Sequence, residues 1–420
     1  MAILGVMLAV SMLAPLGATA WANGRYPAAG QLVVDPIDAQ RIVVRTTFGL
    51  LQTTDNTKHW QWICETAAGY EDNTDPYFTV GGSGALVVAT ATGMTVSSDR
   101  GCVWTKLPGS MGQLPAYDLV VSLSSPLNMW AVDQSDGGLL QLLASTDGGL
   151  HFSPQGAKLP SGFSALTLEV APSNPQRIYV SGQQQQTQSV IMRSDDGGAS
   201  WQALPMDTTD IVGDFVGAVD PQQPDRLYVR RNTDTGDALL FSSDAGLTWQ
   251  QAFATPGKLL GFALSPDGQT VALGVVVPQS PELRGLWLAS SSDMVFHKVQ
   301  DVQPTCLTWT AQGLWICALQ SVDHFVLGRS EDAGKSIKPL LQLADIKPLS
   351  CPVGTRTANV CPAAWTLVAK QLGVGTSPVV APAQPISSGC NGFRGSSAIA
   401  VPWLTLILLL ALGLRTRRVK

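Results

Sequence analysis

Seven aspartates recur along the chain in one frame, Ser-x-Asp-x-Gly-x-x-Trp or a worn copy of it: Asp55, Asp99, Asp147, Asp196, Asp244, Asp293 and Asp332. A repeated carboxylate could bind cations, act as an acid or base, or tie down a backbone turn. The rest of the frame favours the turn. Its Asp can accept hydrogen bonds from the turn's own N–H groups, its Gly supplies a positive φ, and its Trp tucks a large apolar face beneath. Residues 97–104, 194–201 and 242–249 keep every key position, while 145–152 and 330–337 end in Phe and Ile. Residues 53–60 replace the glycine with Thr57, and 291–298 carry Val295 and Lys298 where Gly and Trp belong.

Hydrolytic chemistry would need other groups. A glycosidase requires two carboxyl groups about 5 to 10 Å apart across a cleft. Acidic residues gather in three loops that could supply them: Glu65, Glu71, Asp72 and Asp75; Asp207, Asp210 and Asp214; Asp234 and Asp237. Of the four histidines, His59, His151 and His297 fall in one column of the repeat, which fits a recurring surface turn better than a metal site. Arg41, Arg177 and Arg226 share another column, just before the second strand of their units. The chain has no G-x-S-x-G elbow and no C-x-x-C pair, so a serine-hydrolase elbow, zinc and redox readings lack a signature. No metal or cofactor is expected.

Successive aspartates of the frame are 44, 48, 49, 48, 49 and 39 residues apart. Such a period marks one supersecondary unit repeated along the chain. Upstream of the frame the same order recurs: an apolar stretch, a Pro/Asn/Asp turn, a short β-branched run, a variable loop and an alternating run. Residues 31–36 with 41–45, 168–172 with 177–180, and 218–221 with 226–229 show it. These are strand signals, and no long 3.6-residue periodicity interrupts them between residues 31 and 341. Four short strands per unit make the blade of a β-propeller. The expectation is an all-β propeller over 23–343 with seven four-stranded blades, six or eight staying open because the copy at Asp293 is worn and the last step is short. In antiparallel blades the turns between strands one and two and between three and four share one face, so all seven aspartates fall together. They are read as scaffold.

The frame resembles the BNR or Asp-box repeat of the sialidase-like propellers, a group that includes sortilin-type receptors, xyloglucanase-type hydrolases and photosystem assembly factors. The resemblance covers about residues 31–341. It implies that the boxes join the third and fourth strands of each blade, away from the ligand site. It also raises the possibility of a sialidase, whose Arg-Ile-Pro motif this chain lacks; the Arg41, Arg177 and Arg226 column lies on the box face, where it reads as structural.

The chain ends carry a different kind of information. Residues 3–16 are apolar and lead into two small-x-small sites, which reads as a signal peptide over 1–22 with Trp21 or Asn23 as the first mature residue. No Lys or Arg precedes Arg25, so an uncleaved N-terminal anchor is the alternative. A disulfide-closed tail over 344–372 and a Pro/Ser/Gly-rich linker over 373–389 are expected next. Cys390, a spacer, an uncharged apolar stretch at 398–414 and a basic tail at 415–420 complete the chain. This arrangement resembles a MYXO-CTERM-type sorting signal of Gram-negative surface proteins, which implies a sorting protease, cleavage near Cys390 and lipid on that cysteine. A plain single membrane span is the alternative.

Between residues 21 and 390, 21 Lys and Arg stand against 31 Asp and Glu, with no basic stripe, which argues against nucleic acid as a partner. Six cysteines remain besides Cys390, an even number that favours disulfides in an oxidising compartment. A hairpin centred on 311–313 would place Cys306 opposite Cys317. Cys351 and Cys361 enclose a short loop, which leaves Cys64 for Cys102.

The reading that follows is an exported, surface-anchored propeller that binds a protein or glycan without catalysis. Its ligand would lie on the face opposite the boxes, at Tyr70, Asp72, Asp75, Gln184, Asp210, Arg230, Arg231 and Asp234. The competing readings are an exported glycoside hydrolase and an assembly factor for an envelope complex.

Overall fold

A computed structural model describes residues 25–70, 74–135, 137–207 and 211–374. The signal peptide, Asp72, Asp210, all but the start of the linker, Cys390, the 398–414 span and the basic tail lie outside the described residues. Seven antiparallel sheets of four consecutive strands follow one another along the chain. The protein is an all-β, seven-bladed propeller. The first strands, Ala29–Val34, Tyr77–Val80, Ala116–Val121, Phe163–Val170, Ile211–Val219, Lys258–Leu264 and Pro304–Thr310, neighbour one another around the inner ring.

The blades stack face to face, so apolar clusters form between neighbours rather than inside any one sheet. This explains the sequence of the middle strands. In blades 1 and 2 every residue of the second and third strands is buried, because both faces are covered. A strand covered on both faces reads as a continuous run instead of an alternation.

Blades 7 and 1 exchange no strand. Their inner strands meet directly, the Thr308 hydroxyl donating to the Leu32 carbonyl at 3.0 Å, and their outer strands are tied by the Trp60 indole, which donates to the Leu340 carbonyl at 3.2 Å. An external strap then crosses this seam. After the last blade strand, Lys338–Leu341, the chain adds Ile346–Pro348 as a fifth strand parallel to Trp60–Ile63 of blade 1. Beyond it, Cys351 bonds to Cys102 in the box of blade 2, and Cys361 bonds to Cys64 at the end of blade 1. The helix Arg356–Leu372 packs Trp365 against Trp62 with ring centroids 5.3 Å apart, buries Val368 and Leu372, and ends at Gly373 in the left-handed region, φ 71°.

The strap corrects two expected disulfides. Cys351 does not pair with Cys361, nor Cys64 with Cys102. The tail runs across the outer edge of blades 1 and 2 instead of folding on itself, so each tail cysteine meets a blade cysteine. Cys306 and Cys317 do face each other across their hairpin and are bonded.

Candidate functional site

Six of the seven box turns share one hydrogen-bond pattern. The leading Ser or Thr donates to the Asp Oδ1 at 2.7 to 2.9 Å and accepts the N–H four residues after itself at 2.7 to 3.1 Å. The same Asp Oδ1 accepts a second N–H, four residues after the Asp, at 2.8 to 3.0 Å. In this way each carboxylate satisfies backbone donors that the tight turn would otherwise strand. In Asp196, Asp244 and Asp332 the hydroxyls of Ser200, Thr248 and Ser336, followed by their N–H groups, hold the carboxyl down at about 2. At Asp55 and Asp147 desolvation is the largest single influence and opposes the shift, and the hydrogen bonds from His59 and His151 together with those from Thr53 and Ser145 overcome it, again giving about 2. The glycine column needs positive φ, from 83° to 98° in Gly101, Gly149, Gly198, Gly246 and Gly334, and Thr57 adopts 69° without that freedom.

The turn at Asp293 is different. Elsewhere the residue before the Ser or Thr pairs with the residue eight after it, as Arg193 does with Gln202 and Phe241 with Gln250. In blade 6 the closing pair is Leu288 with His297, the same nine-residue spacing but starting two residues before Ser290 instead of one. Ser290 takes the serine column, Ser292 the aspartate column, and Asp293 accepts only the Val295 N–H at 3.0 Å. The expected box at Asp293 is therefore out of register by one residue and does not form.

The arginine column bridges blades on the box face. Arg41, 1% exposed, donates to the Gly84 carbonyl of blade 2 at 2.7 Å and pairs with Asp35 at 3.3 Å. Arg177 pairs with Asp195 at 2.7 Å and with Asp225 of blade 5, and Arg226 donates to the Ser291 carbonyl of blade 6. These three side chains are mechanical ties.

On the opposite face most of the expected ligand residues are engaged in the ring itself. Arg230 is 1% exposed, lies over the Phe215 ring at 4.3 Å and donates to the Leu259 carbonyl at 3.3 Å. Burial lowers its pKa, and Asp237, 3.8 Å away, opposes that. Arg231 forks onto buried Asp214 at 2.8 and 3.2 Å, and the Ser189 hydroxyl of blade 4 donates to the same carboxylate at 2.9 Å. Asp237 accepts Lys258 Nζ at 3.1 Å and the Leu259 N–H at 2.9 Å, both from blade 6. Asp75 pairs with Arg25 at 2.7 Å, and Tyr70 is buried, which pushes its phenol well up. Gln184 donates to the Ser161 carbonyl at 2.7 Å, while Asp234 stands exposed at its hairpin tip.

One buried acid was not singled out in the sequence. Asp133, 2% exposed, has no hydrogen-bond partner for Oδ1 among the described residues. Desolvation raises its carboxyl to about 7, against the pull of the Gln134 N–H. Nothing in the run 129–134 marks it out; Asp133 lies between Ala116 and Gln141 on the flanking strands of its own blade.

Two cavities open on the box face. One, about 500 Å³, lies at the sixth turn between Thr270, Ser290, Asp293, Val295 and His297. The other, about 510 Å³, lies between blades 6 and 7, lined by Asp267, Trp309, Gln312 and Glu331, and also reaches Thr270. No group of His, Cys, Asp and Glu that could hold a metal ion occurs among the described residues.

No sequence-family profile matches the chain, and no curated protein matches it. Solved structures do resemble its fold. An ancestral GH74 enzyme superposes with a TM-score of 0.56 at 14% identity, covering 76% of this chain and 47% of the enzyme. The chain therefore spans about half the length of that protein. Hydrazine synthase of Kuenenia stuttgartiensis gives 0.51 at 10% identity, covering 73% of this chain and 96% of the other. At these identities the likeness is one of fold.

Proposed function

We propose that the protein is an exported propeller that binds its target without catalysis. One observation carries this reading. Three of the acidic loop residues expected to supply an acid and a base on the face opposite the boxes, Asp75, Asp214 and Asp237, are held in ion pairs and backbone hydrogen bonds between strands and blades. A hydrolase needs one carboxyl free to titrate beside the scissile bond and a second poised against it. Three disulfides support export, since such bonds persist in oxidising compartments. The box geometry supports kinship with the BNR propellers, and the 390–420 segment supports display at the surface of a Gram-negative cell, with a sorting protease as the processing partner.

The test of the binding reading is incubation of the purified chain with sialyllactose, cellohexaose, xylohexaose and mannohexaose, followed by chromatography of the products. Intact sugars are expected. Product formation that disappears in Asp214→Asn or Asp237→Asn would establish the hydrolase instead. Mass spectrometry of the mature C-terminal peptide tests the anchoring separately, because a retained 415–420 tail excludes processing near Cys390.

A further inference from the structure

The two strap bonds join cysteines that lie far apart in the chain and pass over nearer ones. In order of synthesis the six are Cys64, Cys102, Cys306, Cys317, Cys351 and Cys361. Of the three bonds, only Cys306–Cys317 joins neighbours in that order; the strap bonds span 297 and 249 positions. Pairing in order of appearance would join Cys64 to Cys102, 38 positions apart, and Cys351 to Cys361, 10 apart.

Both timing and geometry favour that other pairing at first. Cys102 precedes Cys351 by 249 positions, on the order of 10 to 50 s of synthesis, and for most of that time Cys64 and Cys102 have only each other. Loop closure in the open chain weakens as the 3/2 power of length, so Cys64 meets Cys102 about twentyfold more often than Cys361. Blades 1 and 2 then set the two side by side without the strap. Ile63 and Gly101, the residues before them, touch, a Cβ on Gly101 falling 2.4 Å from Ile63 Cδ1. Gln52 of blade 1 also donates to the Arg100 carbonyl at 2.6 Å.

The native pairing gains its support only when the strap is seated. The Cys64 N–H then donates to Cys361 Sγ at 3.2 Å, the Thr357 N–H to the Cys102 carbonyl at 3.2 Å, and Trp365 stacks on Trp62. If Cys64–Cys102 and Cys351–Cys361 have already closed, none of the four thiols is left to reach that state. Exchange with an outside thiol is required.

We infer that the protein is a client of a disulfide isomerase, a thiol enzyme that exchanges the consecutive pairs for the two strap bonds. The inference rests on the export reading, which puts the chain where disulfides form. The exchange needs no net oxidation. The enzyme's thiolate attacks Cys102 Sγ and releases the Cys64 thiolate, which attacks Cys361 Sγ. This forms Cys64–Cys361 and frees the Cys351 thiolate. That thiolate attacks the mixed disulfide at Cys102, forms Cys102–Cys351 and returns the enzyme's thiolate. Until then Trp62, 1% exposed in the finished fold, lacks its Trp365 cover, an apolar mark that such an enzyme can hold.

Refolding of the reduced exported chain, with Cys390→Ser removing the seventh thiol, tests it. Diamide, an oxidant that carries no thiol, is added on dilution from guanidinium, protein disulfide isomerase with reduced glutathione follows, and unreduced peptides are mapped by mass spectrometry. Diamide alone should give Cys64–Cys102 in at least about tenfold excess over Cys64–Cys361, and the isomerase should convert it to the two strap bonds. Strap bonds as the main product of diamide alone, or consecutive pairs that the isomerase leaves unchanged, overturn the inference. Cys102→Ser/Cys351→Ser removes the wrong partner and keeps one strap bond, so it should form Cys64–Cys361 with diamide alone. An undiminished need for the isomerase in that variant overturns the inference as well. Six free thiols in the chain alkylated on lysis of its own cells would overturn the export reading instead.

Discussion

Removing the Cys64–Cys361 bond by the paired substitution Cys64→Ser/Cys361→Ser measures what the strap contributes. The two strap bonds are nested, so the effective loop is not the full 297-residue separation. With Cys102–Cys351 intact, the path from Cys64 to Cys102 and back from Cys351 to Cys361 is about 48 residues, and the chain-entropy relation then gives about 4 kcal/mol. Removing the Cys102–Cys351 bond as well releases a loop of 249 residues and adds about 5 kcal/mol more. The hairpin bond Cys306–Cys317, with its separation of 11, is worth about 3 kcal/mol by the same relation. Guanidinium unfolding of the three variants, followed by tryptophan fluorescence, should therefore rank them hairpin, single strap, double strap in order of rising loss. A whole domain is stable by only about 5 to 15 kcal/mol, so the double variant should be at or beyond the edge of folding. If the double variant unfolds at the same denaturant concentration as the single one, the strap does not close the ring and the reasoning fails.

Thr57→Gly should stabilise the chain by about 0.5 to 1 kcal/mol, because it removes a β-branched residue from a φ of 69° at a position where five other boxes use glycine; denaturant midpoints decide it, and a loss would mean the Thr57 side chain is needed. The raised carboxyl of Asp133, about 7 when folded against an ordinary 3.8, means the native state holds a proton that the unfolded chain releases first. Stability from this group is full below about pH 4, declines between about 4 and 7 and is flat above, a span of at most about 4 kcal/mol. Asp133→Asn should accordingly raise the thermal midpoint at pH 8 and not at pH 4, and equal effects at both would refute the shift. The box carboxylates behave oppositely. With folded values near 2 at Asp196, Asp244 and Asp332, their support is complete above about pH 4 and lost as pH falls towards 2, so Asp244→Asn should flatten the acid end of a stability profile.

The blade count was legible because the box is a local device. Its Ser, Asp and Gly act within a few residues of one another, so their spacing survives in the sequence as a period. The Arg41, Arg177 and Arg226 column was legible for the same reason, and the structure shows each reaching the next blade. What could not be read is what depends on neighbouring blades. Arg230, Arg231 and Tyr70 look like loop-end polar groups in sequence, yet adjacent strands and blades bury or engage them. The cysteine pairing failed because it treated the tail as local, although the helix was signalled: Gly373 ends a run in which Val360, Ala364, Trp365, Val368 and Leu372 fall on one face. The sixth turn was visible as a worn box, but its register emerged only from the pairing of Leu288 with His297.

The most direct test of the non-catalytic reading is chromatography of the products after the purified chain is incubated with sialyllactose, cellohexaose, xylohexaose and mannohexaose. Intact sugars throughout are the predicted result. Cleavage of any one of the four would contradict it.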